Sequence, residues 1–157
     1  MNSKYLSEFL GTFLLTSCVV GSGIMAENLS NGIPALALLA NTVATGAILF
    51  VIIKIFSQIS GAHFNPVISL IFFLRRELGK NDFVYYVAFQ IIAAIIAVII
   101  THYLFVLHLL QISKNQRGEL NMLVSEGIAP SSFLFFLLGQ LLGALLSLLI
   151  YKSLNRS

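Results

Sequence analysis

The reading of the chain turns on Ser60-Gly61-Ala62-His63-Phe64-Asn65-Pro66-Val67, followed by the short apolar block that runs to Leu74. Gly61 permits a tight return of the chain, Asn65 is a good helix N-cap, and Pro66 fits the first helical turn, where its missing N–H is not needed. A helix is therefore expected to start at Asn65 and to run to Leu74. Those 10 residues rise only about 15 Å, half of the roughly 30 Å hydrocarbon core of a bilayer. Such a segment enters a membrane without crossing it.

Around this block stand four longer apolar stretches, Leu6–Ala26, Ala35–Ser57, Phe83–Val106 and Ser131–Tyr151. Each meets the length of about 20 residues that a crossing helix needs. Of the 157 residues 58% are hydrophobic and 10% charged, and the mean hydropathy is +0.95. A soluble domain carries about 25% charged residues, so a water-soluble globule is excluded. A disordered or nucleic-acid-binding chain is excluded too, because the charges sit at block ends and form no basic face. Cys18 is the single cysteine, and three scattered histidines add no zinc spacing. The fold class expected is an all-α membrane protein with four transmembrane helices and one re-entrant half-helix, in a single transmembrane domain spanning residues 1–157. No cofactor, metal or nucleic acid is expected, and the bilayer is the first partner.

Orientation follows from the Lys and Arg flanking the spans, since cytoplasmic flanks are enriched in positive charge. With the N-terminus inside, Lys4, Lys54, Arg75, Arg76, Lys80, Lys152 and Arg156 are cytoplasmic, and Lys114 and Arg117 are outside. Both termini are then cytoplasmic, in the cell (inner) membrane. Lys54 and Arg75 fall on one face only if the block between them leaves on the side it entered, so charge and length support the re-entrant reading independently. Lys4 followed by Leu6–Val20 also has the look of a signal peptide. Glu8 interrupts that apolar run and three further spans follow, which favours an uncleaved first helix. His108 to Pro130 is expected as one external loop.

Irregular backbone at membrane depth is tolerated only where it lines a cavity or is buried in protein. A water-filled path beside residues 61 to 65 follows. The half-helix points its N-terminus, roughly half a positive charge, at the bilayer midplane, which repels cations. The amide N–H groups of Asn65 are left to donate to a passing oxygen, and the carbonyls of Gly61, Ala62, His63 and Phe64 offer acceptors. A row of acceptors with one fixed donor suits water or a small polyol. No carboxylate pair, nucleophile beside a base, or nucleotide-binding glycine loop appears, so an enzyme is not expected.

At this point the stretch resembles the first Asn-Pro-Ala signature of the aquaporin and aquaglyceroporin (major intrinsic protein) family. Glu8-Phe9-Leu10-Gly11-Thr12-Phe13 resembles that family's first helix, Ala88-Phe89-Gln90-Ile91-Ile92-Ala93-Ala94 its third, and Gly139-Gln140-Leu141-Leu142-Gly143-Ala144 its last. An internal echo, Gln90-x-x-Ala-Ala and Gln140-x-x-Gly-Ala fifty residues apart, has the form left by an inverted repeat, or by chance recurrence of small residues in apolar helices. The resemblance implies a channel for passive permeation of water or a small neutral solute such as glycerol. It implies that Glu8 braces the re-entrant backbone, and that His63 either lines the path or packs within the loop. Val67 stands where the family usually has alanine.

The pattern departs from the family in its second half. Family members have six spans and two such half-helices, the second followed by a filter arginine. Here Ala129-Pro130-Ser131-Ser132 is the one candidate remnant, but it lies 11 residues before Gln140, whereas Asn65 lies 25 before Gln90. The chain reads as a truncated member lacking the second half-helix. One repeat walls part of a pore, so a homo-oligomer is expected, with Gly139, Gly143 and Ala144 as a small-residue contact face. The alternatives are a non-conducting member that serves as a structural or partner-binding membrane protein, and an unrelated four-helix membrane protein. Tyr5, Tyr85, Tyr86, Tyr103 and Tyr151 lie at span ends, as in an interfacial aromatic belt.

Overall fold

The computed structural model describes residues 2–107 and 130–154, and among them every regular element is helical. The elements are α1 (Ser3–Leu29), α2 (Pro34–Ser60), α3 (Pro66–Leu74), α4 (Lys80–Leu104) and α5 (Pro130–Leu154). α1, α2 and α4 are each long and apolar enough to cross a membrane. The fourth expected span falls inside α5, whose apolar stretch among the described residues is Leu138–Tyr151. The external loop expected at His108 to Pro130 lies, up to residue 129, outside the described residues.

These helices bury the reverse of what a soluble protein buries. The inward stripe of α4 is Tyr86, Gln90, Ala93, Ala97 and Thr101, and that of α1 includes Ser7, Glu8, Gly11 and Thr12. Large apolar side chains such as Leu39, Val43, Phe50, Ile95 and Leu104 are exposed. Lipid tails are as apolar as leucine, so nothing drives those side chains inward. Small residues let helix backbones approach closely, and polar groups seek partners inside. Gly11 shows how close: a Cβ there would stand 2.0 Å from the Phe64 ring.

α1 packs against α2 and α4, while α3 packs against α4 and α5. The starts of α1 and α4 meet at one end of the bundle, where Lys4 Nζ lies 2.6 Å from Asp82 Oδ2 and the Tyr5 hydroxyl donates to Asp82 Oδ1 at 2.7 Å. α3 emerges at that same end, with the Phe73 ring stacked on Phe83 at 4.9 Å. Arg75, its C-cap, stacks over the Tyr151 ring of α5 at 3.6 Å. A segment that returns to the end it left is what the sequence predicts of residues 65–74.

Three local expectations are corrected. Val106 lies beyond α4, which stops at Leu104 with Val106 at φ +56°. Tyr86 is no interfacial anchor: it is buried, and its hydroxyl donates to the Ser60 carbonyl at 2.7 Å, closing the end of α2 onto α4. The two echoed glutamines are not equivalent in surroundings, since Gln90 is buried and Gln140 is exposed.

Candidate functional site: the re-entrant segment

α2 ends at Ser60, with Gly61 at φ +88° as its left-handed C-cap, donating its N–H to the Ser57 carbonyl. Ala62 and Phe64 also sit in the left-handed region, at φ +55° and +52°. Left-handed backbone is costly for residues with a Cβ, of order 1–2 kcal/mol each. Two such residues in a five-residue connection therefore require outside support.

The support is Glu8, fully buried in α1. Its carboxylate accepts from the His63 N–H at 3.0 Å through Oε1 and from the Phe64 N–H at 2.7 Å through Oε2. Gln90 Nε2, from α4, donates to the same Oε2 at 2.8 Å. The Ala62 N–H donates to Ser60 Oγ at 3.2 Å. Every N–H from residue 61 to residue 64 thus has a partner, and those of His63 and Phe64 find theirs on a buried side chain of another helix. An unpaired buried N–H costs about 1–3 kcal/mol, so the connection is held by side chains in place of a helix ladder.

Its carbonyls are treated oppositely. Among the described residues no group donates to the carbonyl oxygens of Gly61, Ala62, His63 or Phe64. Asn65, extended at φ −151°, caps α3 by accepting the Val67 N–H on its side-chain oxygen at 2.8 Å, and Pro66 occupies the first turn. α3 thus runs Pro66–Leu74, with Asn65 outside it as the cap. Lower in α3, Ser69 lies against Gln90, ten residues into α4. Ten residues are about 15 Å of helix, so the N-terminal end of α3 stands about half a bilayer deep.

The site residues expected from the sequence divide in two. Gly61, Ala62, Asn65, Pro66 and Val67 keep accessible surface, whereas the His63 and Phe64 side chains are buried. His63 packs within the loop, one of the two alternatives the sequence leaves open. Its ring lies 4.3 Å from Phe72 and 5.3 Å from Tyr86, and Nδ1 is 3.1 Å from Ser69 Oγ. The side chains of His63 and Phe64 thus belong to the packing of the loop. The sequence reading misses Ser69 and Gln90 as members of this network. Their signal is that each is a polar residue set in the middle of an apolar run, the circumstance that marks a buried polar partner.

The family model described as Major intrinsic protein matches residues 1–129. α5 lies beyond that range. Aquaglyceroporin AqpS of Rhizobium meliloti is 45% identical over 129 residues, which cover 82% of this chain and 55% of that protein. Glycerol uptake facilitator protein-like 6 of Lactiplantibacillus plantarum is 35% identical over 94 residues, covering 60% and 40%. Probable aquaporin TIP5-1 of rice (Oryza sativa subsp. japonica) is 30% identical over 102 residues, covering 64% and 38%. The chain spans about half the length, or less, of these curated relatives.

Proposed function

From the premise that this chain belongs to the major intrinsic protein family, whose members are membrane channels and not enzymes, we propose that it forms a passive pore for water or a small neutral solute such as glycerol. The apolar helices and the family together make it an integral membrane protein. The observation that carries the proposal is the asymmetry of residues 61 to 64, whose N–H groups all have partners while, among the described residues, their carbonyls find no donor. A solute with hydroxyl groups supplies the missing donors. Asn65 supplies the fixed donor to its oxygen, and the positive end of the α3 dipole disfavours cations. No chemistry or energy coupling is involved.

One re-entrant segment walls only part of a path, and unpaired carbonyls facing hydrocarbon cost several kcal/mol each. We propose that further copies of this chain complete the enclosure, in parallel orientation with the N-terminus cytoplasmic, as the flanking charges favour. Gly139, Gly143 and Ala144 on α5 are the proposed contact. Gly139 and Gly143 are exposed, and a Cβ at either would meet nothing within 4 Å. Crosslinking in native membranes that yields only monomers would overturn this arrangement.

The test of the pore is stopped-flow light scattering of proteoliposomes under an osmotic and then a glycerol gradient. The native chain, Asn65→Ala and empty vesicles are compared. Permeability above empty vesicles that Asn65→Ala abolishes supports the proposal. Vesicles with folded native protein that behave like empty ones would leave a non-conducting, structural or partner-binding member of the family.

A further inference from the structure

The hydrogen-bond geometry around His63 points to an assignment of its ring protons, and we propose that Ser69 is the positioning residue that fixes it: His63 is held neutral, with its one ring proton on Nε2. The argument starts at Glu8, because a carboxylate only accepts. Gln90 must therefore present its amide nitrogen to Oε2, at 2.8 Å. The second hydrogen of that nitrogen goes to Ser69 Oγ, at 3.0 Å. Ser69 Oγ then has one proton of its own to place. Its two candidate acceptors are His63 Nδ1 at 3.1 Å and Gln90 Oε1 at 3.5 Å. The second is too long for an O–H···O bond, which ranges from about 2.5 to 3.0 Å. Ser69 thus donates to Nδ1, which must be the unprotonated nitrogen.

The order of donors runs from Gln90 to Ser69 to His63, with Glu8 fixing its sense at the start. All of Glu8, Gln90 and Ser69 are at most 1% exposed, so no water competes for these bonds. The ring cannot easily turn to present Nε2 instead, being held between Phe72 and Tyr86. Nε2 lies on the Gly61 side, 3.2 Å from where a Cβ on Gly61 would stand. With the ring buried, the Nε2–H stands beside Gly61, next to the strand of residues 61 to 64 that lines the path proposed above. The same chain of bonds also keeps a full positive charge off that strand.

The assignment is tested by 15N NMR of histidine-labelled protein in lipid nanodiscs, with His63 identified by its loss in His63→Gln. The readout does not depend on conduction, so its failure is separable from failure of the pore. The expected native spectrum has a protonated Nε2 and an unprotonated Nδ1 for His63. Ser69→Ala is expected to lower the ratio of Nε2–H to Nδ1–H tautomer by about five- to tenfold, the worth of a single net hydrogen bond. Ser69→Thr, which keeps the hydroxyl, is expected to restore it. Ser69→Cys, of similar volume with a weaker donor, is expected to lower the ratio partway, and it decides the matter if the alanine variant does not fold. A native ring protonated at Nδ1, a native mixture, or a ratio unchanged in the alanine or cysteine variant would overturn the assignment.

Discussion

Replacing Glu8 by glutamine is expected to unfold the re-entrant segment before it alters what passes. The native carboxylate takes three N–H donors, one on Oε1 and two on Oε2. A glutamine amide must put an NH2 group in one of those places. Standing where Oε1 stood, it leaves the His63 N–H facing another donor. Standing where Oε2 stood, it strands both the Phe64 N–H and the Gln90 amide. The first arrangement is cheaper, and loses one bond to a charged group while leaving one buried N–H unpaired, about 2–4 kcal/mol together. A whole domain has about 5–15 kcal/mol to lose. At roughly 2–4 °C per kcal/mol for a chain of this size, the midpoint of thermal unfolding falls by roughly 4–16 °C. The assay is the fraction of detergent-solubilised protein that stays monodisperse after stepwise heating. It is paired with the ratio of water to glycerol permeability for whatever reconstitutes. An unchanged midpoint with an altered ratio would refute the bracing role.

Three further outcomes follow from the packing. Gly11→Ala places a Cβ 2.0 Å from the Phe64 ring, so overpacking should cost about 1–3 kcal/mol, seen as a lower unfolding midpoint in the same assay. Tyr86→Phe removes the 2.7 Å bond to the Ser60 carbonyl and keeps the ring against His63. A loss of about 0.5–1.5 kcal/mol with the helices otherwise intact is expected, and a midpoint equal to that of the native chain would count against it. Tyr151→Ala removes the face on which Arg75 stacks, and amide hydrogen exchange should then quicken in α5 while α1 and α4 keep their protection. Equal exchange in α5 of both proteins would mean that the Arg75 contact does not dock it.

Much of this architecture is legible in the residues because membrane helices obey few constraints. Length alone separates the half-helix Pro66–Leu74 from its neighbours, and Asn65-Pro66 fixes its start to within one residue. Glu8 draws attention as an ionisable group in an apolar span, and it meets the backbone it was expected to brace. What the sequence hides is which face a side chain takes. Tyr86 and Tyr85 are adjacent at the same helix end, yet one is buried and the other exposed, because the near-uniform apolar surface of α4 carries no periodicity that marks its inner face. For the same reason Ser69 and Gln90 could not be paired from spacing. Their meeting depends on how a re-entrant helix lies against α4, and that angle leaves no trace in composition. His63 illustrates the limit from the other side: its residue type suits a pore wall and a packed loop equally, and only the rings of Phe72 and Tyr86 around it decide.

The central claim, that solute passes along residues 61 to 67, is tested most directly by blocking that strand. Val67 keeps accessible surface in the first turn of α3, one bond from the Asn65 cap. The measurement is water permeability of proteoliposomes carrying Val67→Cys in a Cys18→Ser background, before and after a mercurial reagent and again after excess thiol. The account predicts permeability above empty vesicles that falls to their level on labelling and returns when the label is removed. Permeability that is absent from the start, or that persists when position 67 is quantitatively labelled, would contradict it.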